Sequence, residues 1–232
     1  MNEISEGIIK ALQLIVSGDP KIYGIVSRSI LFSGTAIMLA ALWGIPIAML
    51  LALKDFPGRT IIKGFFNSLM GIPTVALGLV LFLIFSNAGP LGFLRLLYTP
   101  AAVILGQAIL VTPIVISIAT TAIEAVDPEI MSLAKTLGAS ESQASFAVLK
   151  EALGGVMLAN TASFNRAIAE LGVALLVGGN IAGLTDNLTT SISTYTQRGG
   201  PDLALAIALA IILLVIVFGI NLILLIIQRL RK

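Results

Sequence analysis

Arg166 and Glu170 are the only charged residues inside the long apolar stretches of this 232-residue chain. They stand four apart, so on a helix they share one face. Ionised groups within an apolar span usually face the bundle interior and pair. Two readings are open. One is a structural ion pair that fixes helix packing. The other is a gate or pathway element, in which an unpaired guanidinium attracts an anion through charge-assisted hydrogen bonds. Pairing leaves Arg166 little net charge, and a route must release what it passes. A structural and gating role therefore fits better than tight coordination. Downstream, 179–202 is rich in Gly, Thr, Ser and Asn and carries Asp186, Arg198 and Asp202. It reads as a surface loop or as a re-entrant gate loop whose amides and hydroxyls line a polar cavity.

Other chemistries are excluded by composition. The chain has no Cys and no His. That removes disulfides, zinc sites with Cys or His ligands, thiol nucleophiles and imidazole bases. A membrane enzyme would need a catalytic cluster that is absent here. No G-x-x-x-x-G-K-[ST] phosphate loop occurs, so the chain does not bind ATP in that manner. No chain of intramembrane acids suits proton coupling, and no obvious internal repeat suits a single-chain carrier. A net charge of +2 is too small to suggest nucleic acid.

These residues must be positioned by an all-α membrane bundle. The chain is 57% hydrophobic and only 11% charged, against about 25% charged in soluble domains. A bilayer core needs about 20 apolar residues in a helix. Five stretches reach that length: 29–53, 65–85, 100–123, 156–178 and 203–227. Each is too long and continuous for a barrel strand. Pro46, Pro73 and Pro113 lie inside spans, where each can kink its helix. Gly71, Gly78 and Gly219 suit close helix packing. The start, Met1-Asn2-Glu3-Ile4-Ser5-Glu6, is acidic and does not read as a cleaved signal peptide. Over 4–17, Ile4, Ile8, Ala11, Leu12 and Ile15 share a face, which predicts an amphipathic helix within 1–20 at the membrane surface or against a neighbouring subunit. Gly18-Asp19-Pro20 ends it.

Lys54, Arg59, Lys63, Lys135, Lys150, Arg229, Arg231 and Lys232 fall on one side of a five-span bundle. Lys10, Lys21, Arg28, Arg95 and Arg198 fall on the other. The excess marks the first side as cytoplasmic, with the N-terminus outside and the C-terminus inside. Five spans enclose little pathway alone, so a symmetric dimer is expected, with substrate crossing at the two-fold interface.

The segment 127–155 is not membrane-like. Asp127 and Pro128 form a helix start. Ile130, Leu133, Ala134 and Leu137 recur with helical spacing, and Gly138 stands where a left-handed cap belongs. Ser140-x-x-Gln143 fits a capping box for a second helix, expected to run to about 153 and to end at Gly154-Gly155. Such short helices are marginal alone. The hairpin either folds back on the bundle or docks a cytoplasmic partner.

Ser132-Leu133-Ala134-Lys135-Thr136-Leu137-Gly138-Ala139-Ser140 resembles the "EAA" loop of ABC importer permeases. Ser132 and Leu133 replace its Glu and Ala, and the Leu-Pro that usually follows is replaced by Lys150-Glu151. The resemblance implies a coupling helix, with Leu133, Ala134, Lys135, Leu137, Gly138, Ala139 and Ser140 contacting a separate ATP-binding subunit. Phe164-Asn165-Arg166-Ala167-Ile168-Ala169-Glu170-Leu171-Gly172 resembles a signature of oxyanion permeases, and 177–185, with Asn180 and Thr185, resembles the molybdate/tungstate branch. Leu69-Met70-Gly71-Ile72-Pro73 and 110–116, around Pro113, look most like tungstate permeases. The resemblance spans nearly the whole chain, read as one transmembrane domain, 1–232. It implies an inner-membrane homodimer with two ABC ATPase subunits that hold ATP and Mg, and an external substrate-binding protein that delivers the oxyanion. No cofactor is expected on this chain. Molybdate or sulfate as substrate, and an ATPase-independent channel or carrier, are the alternatives.

Overall fold

The computed structural model describes residues 3–230, with side chains over 7–229. Met1 and Asn2 of the acidic start, and Arg231 and Lys232 of the basic end, lie outside the described residues, as do the side chains of Glu3, Ile4 and Glu6. Eleven α-helices and no strand occur among the described residues. They are α1 Glu3–Val16, α2 Pro20–Leu53, α3 Arg59–Leu69, α4 Thr74–Phe85, α5 Pro100–Glu124, α6 Pro128–Thr136, α7 Glu141–Glu151, α8 Leu153–Ile168, α9 Gly172–Gly178, α10 Leu188–Arg198 and α11 Leu203–Leu230.

The amphipathic first helix forms as its spacing predicts and packs on α11. Gly18 turns the chain with φ +72°. Asp19 then accepts from the amides of Lys21 and Ile22, and Pro20 takes the first turn of α2. The tripeptide that ends α1 therefore also starts α2, nine residues before the expected 29. At 34 residues α2 is about 51 Å long, well beyond a bilayer core.

Among the described residues three helices are long and apolar enough to cross a bilayer: α2, α5 and the stretch 200–229, which is almost all α11. Both Pro46 and Pro113 lie inside unbroken helices. The expected span 65–85 is not one rod. It is α3 and α4, which meet at a bend of 101° across 70–73. Pro73 is thus the residue that leads into α4, rather than an internal kink. The expected span 156–178 likewise divides into α8 and α9 at Ala169-Glu170-Leu171. A hydropathy window registers neither break, because apolar residues surround both and outweigh the single charge of Glu170.

The layout follows from burial. Helix α5 is the central post, touching α2, α3, α4, α8 and α9, with 61% of its most apolar window buried. Helix α11 is peripheral and leaves Leu214, Val215, Phe218 and Leu222 exposed, as a surface facing lipid or another subunit does. One apolar cluster joins α1, α2, α10 and α11 through Ala11, Ile22, Ile25, Leu188 and Leu209. A second joins α2, α5, α7 and α8 through Ala48, Ile123, Val148 and Val156.

Candidate functional site

The hairpin is built from local signals. Asp127 Oδ1 accepts from the Glu129 amide at 2.9 Å and starts α6. At its far end the Ala139 amide donates to Ala134 O and the Gly138 amide to Lys135 O, both at 3.0 Å. This paired closure needs a left-handed residue, and Gly138 supplies it with φ +88°. Ser140 and Gln143 exchange side-chain and backbone bonds of 2.8 and 3.3 Å, the capping box that starts α7. Helix α7 stops at Glu151, two residues short of expectation, and Gly154-Gly155 lie inside α8. Gly155 stays a glycine for room: a Cβ there would stand 2.3 Å from the Ala122 Cβ.

The two expected fates of the hairpin are divided between its arms. Helix α7 buries Ala144 and Val148 in the bundle. Helix α6, described over its full length, buries none of its residues. Its stripe splits: Ile130 and Ala134 are half-buried, while Leu133 and Leu137 are 62% and 80% exposed. Lys135, Ala139 and Ser140 surround them on the exposed or half-buried turn. One arm is anchored and the other presents apolar side chains to solvent. Lys54, just past α2, forms an ion pair with Glu141 and ties the anchored arm to the bundle a second time. That lysine holds the Glu141 carboxyl below its ordinary value, by hydrogen bond first and by charge second.

Arg166 and Glu170 lie at the α8–α9 break, where Glu170 has more than one partner. It is 2% exposed, its Oε1 accepts from the Val173 amide at 3.0 Å, and its Oε2 stands 3.7 Å from Arg166 Nη1. Glu170 O accepts from the Thr189 hydroxyl at 2.6 Å. The carboxylate therefore covers the exposed amide end of α9, where a negative charge is favoured. Arg166 is 38% exposed and makes only this long contact with an acid among the described residues. Next to it, Gln107 Nε2 donates to Ala167 O at 3.1 Å and fixes the end of α8 to α5.

The two breaks abut. A Cβ on Gly172 would stand 2.9 Å from Thr74 Oγ1 and 3.0 Å from the Val75 amide nitrogen. A Cβ on Gly78 would meet Gly172 O and Val173 Cα at 3.0 Å. Pro73 and Glu170 are thus brought to neighbouring half-helices that touch backbone to backbone. Pro113 is buried in α5. Asn180 adopts φ +50° and donates from Nδ2 to Thr194 Oγ1 at 2.7 Å. Thr185 is fully buried; its hydroxyl donates to Gly178 O at 2.6 Å and accepts from the Ile181 amide at 2.9 Å. Both residues shape the turn after α9 with their polar atoms.

That turn is not followed by an open loop. Helix α10 occupies 188–198, started by a capping box between Asn187 and Thr190. The spacing Asn187-x-x-Thr190 is the signal that identifies it, and a Thr- and Ser-rich composition conceals it. Sequence reasoning also misses the anchor of the segment. Arg28 Nη2 lies 2.8 Å from both carboxylate oxygens of Asp186, and Nε donates to Asp186 O at 3.2 Å. Ser29 Oγ accepts from the Leu188 amide at 2.7 Å. These partners stand 158 and 159 residues apart, beyond any local pattern.

Comparison with known proteins agrees with this architecture. Residues 44–232 match the family described as binding-protein-dependent transport system inner membrane component. The chain is 38% identical over 207 residues to the tungstate uptake system permease protein TupB of Peptoclostridium acidaminophilum, covering 89% of this chain and 91% of that protein. It is 35% identical over 188 residues to a probable anion ABC transporter permease protein of Haloferax volcanii, covering 79% and 81%. Among solved structures, an inward-facing form of the MetNI methionine ABC transporter superposes with a TM-score of 0.71 at 18% identity, over 92% of this chain and 99% of that one. That last likeness concerns the fold alone. The chain is a multi-pass membrane permease and not an enzyme, and it belongs to the family of binding-protein-dependent transport system inner membrane components.

Proposed function

We propose that this chain is the membrane subunit of an ATP-driven oxyanion importer, and that the anion is tungstate. The observation that carries the first part is the divided hairpin. Helix α7 is anchored by Val148 and by the Lys54–Glu141 pair, while α6 offers Leu133 and Leu137 to a cytoplasmic partner. A force applied to α6 reaches α2, α5 and α8 through that anchor. Two ATPase subunits, holding ATP and Mg, grip two copies of the hairpin at Leu133–Ser140 and rock the spans of a homodimer between inward- and outward-open states. The 1–232 chain acts as one transmembrane domain, with its N-terminus outside and its C-terminus cytoplasmic.

The choice of anion is supported by the tungstate uptake permease that the chain resembles over most of its length. An external binding protein delivers the anion to the outer mouth. Arg166 and Glu170, beside the break that ends at Pro73, serve as the gate, and Asn180 and Thr185 hold the outer turn that frames it. The unbroken α5, with Pro113, is the post against which the half-helices move.

The test is reconstitution in proteoliposomes with the candidate ATPase and binding protein. Tungstate uptake that requires ATP, from a complex of two permease and two ATPase chains, is the expected result. Uptake by this chain alone at the same rate would replace the importer reading with a channel or carrier.

A further inference from the structure

A polar cavity of about 100 Å³ lies between α3 and α5, beneath Leu51 at the end of α2. It is at the end of the bundle that carries the hairpin. Its walls carry hydroxyls, one amide and the Lys63–Glu124 pair. Ser117 and Thr120, one turn apart on α5, are 8% and 4% exposed. Their hydroxyl oxygens have no hydrogen-bond partner among the described residues. Buried polar groups are normally paired, and an unpaired one calls for a reason. From α3, Lys63 lines the same space, with Asn67 one turn further on.

Lys63 pairs with Glu124, but it shares that carboxylate with a second cation. Glu124 Oε1 accepts from Arg59 Nη2 at 2.5 Å and also from Lys63. Arg59 is fixed independently, donating to Leu51 O at 2.6 Å and Ala52 O at 2.9 Å. Its other acid, Asp55, is 95% exposed and screened by water. Arg59 can therefore balance Glu124 alone. An ammonium has three N–H groups, so Lys63 can donate into the cavity beside two unused hydroxyls. Two partly buried cations against one partly buried carboxylate disfavour a metal cation and favour an anion that accepts several hydrogen bonds.

We propose that this cavity binds a tetrahedral oxyanion at the cytoplasmic end of the bundle, held by Lys63 Nζ, the Ser117 and Thr120 hydroxyls and the Asn67 amide. Tungstate as the probe rests on the importer reading above. The phosphate of an anionic lipid headgroup has the same chemistry.

The full chain in phosphatidylcholine nanodiscs is dialysed to equilibrium against sodium tungstate, and bound tungsten is counted by mass spectrometry. Saturable binding of one anion per chain is expected. Ser117→Ala, Thr120→Val and Lys63→Gln should each weaken it about tenfold or more, the change expected for losing one hydrogen bond to a charged ligand. Lys63→Arg should retain binding, and Lys10→Gln, which removes the same charge from the exposed face of α1, should leave it unchanged. Thr120→Val and Ser117→Ala delete unpaired groups, so the melting temperature should hold or rise. Lost binding with a preserved melting temperature is therefore loss of the site. Weaker binding in phosphatidylglycerol nanodiscs would assign the site to the lipid phosphate, and equal binding to the free anion; both support the oxyanion chemistry. No saturable binding, or binding unaltered in all three weakened variants, overturns the proposal. ATP-driven uptake without such binding would remove the site and leave the importer reading, and binding without uptake would do the reverse.

Discussion

Replacing Gly138 by alanine isolates the role of the hairpin turn. Among the described residues nothing lies within 4 Å of the point where its Cβ would stand, so the substitution meets no clash. What it meets is the backbone: φ is +88°, and a residue with a Cβ in that region is disfavoured by about 1–2 kcal/mol. The strain should relax mainly on the side of α6, which only Ile130 and Met131 pack against the core. Helix α7 is held by Ala144, Val148 and the Lys54–Glu141 pair, whereas α6 buries none of its residues. The turn should therefore open by displacing α6, carrying Leu133 and Leu137 away from their places. A shift of 1–2 kcal/mol corresponds to roughly a five- to thirtyfold fall in the ratio of correctly presented to displaced hairpins. The assay is tungstate uptake per ATP hydrolysed in proteoliposomes containing the ATPase and binding protein. Gly138→Ala should lower that ratio by up to the stated factor, while the chain still inserts and assembles. Gly138→Asn should recover much of it, because asparagine tolerates the left-handed region. Gly219→Ala, at a glycine in open space on α11, should change nothing in the turn. Wild-type coupling in Gly138→Ala, or equal damage from Ala and Asn, would refute the strained-turn reasoning.

Other residues give separate tests. Glu170→Ala leaves the buried Val173 amide without its acceptor and should lower stability by about 1–3 kcal/mol, whereas Glu170→Gln keeps an oxygen in place and should lose less; equal melting temperatures would show that charge rather than capping matters. Arg28→Ala strands the Asp186 carboxylate, which is largely buried, and should destabilise by up to about 3 kcal/mol, read as faster proteolysis within 179–202; Asp186→Asn, which removes the charge, should be milder. Gly78→Val must push against Gly172 O and Val173 Cα, which are backbone and cannot rotate away, so a loss of about 1–3 kcal/mol in thermal unfolding is expected. Because Lys54 depresses the Glu141 carboxyl, the hairpin anchor is fully present above the ordinary value of 4.5 and is lost as pH falls through the lower folded value. Amide protection in α7, taken relative to the intrinsic exchange rate at each pH, should fall on acidification below that value in the wild type and stay flat in Glu141→Gln.

The hairpin was legible in the sequence because each of its signals acts within a few residues. Asp127-Pro128, Gly138 and Ser140-x-x-Gln143 each impose a local geometry that tertiary packing has no reason to override. The helix breaks were not legible for the opposite reason. Met70, Ile72 and Leu171 are apolar, so a window that averages side-chain hydropathy runs through both interruptions. Each break is also met by contacts from elsewhere in the chain, Gly172 against Thr74 and the Thr189 hydroxyl on Glu170 O. The anchor of Arg28 on Asp186 and the cavity between α3 and α5 are similarly products of folding. In both, the residues involved look ordinary until distant segments meet.

Placement of the breaks separates the prolines by role. Pro46 and Pro113 lie in α2 and α5, which run on without interruption and pack along each other as the framework. Pro73 stands where the chain has already left one helix and bends by 101° into the next. Non-helical backbone at membrane depth is tolerated only where protein or a water-filled cavity covers it. The two breaks meet that condition by covering each other, with Gly78 and Gly172 allowing α4 and α9 to touch along their backbones. Glu170 then completes the end of α9 that the break exposes. A half-helix joined to its partner through three or four non-helical residues can tilt with few changes in φ and ψ, whereas bending an unbroken α5 would disturb the buried core around it. Motion in the proposed transport cycle is therefore expected at 70–73 and 169–171, beside Arg166, with α2 and α5 holding still.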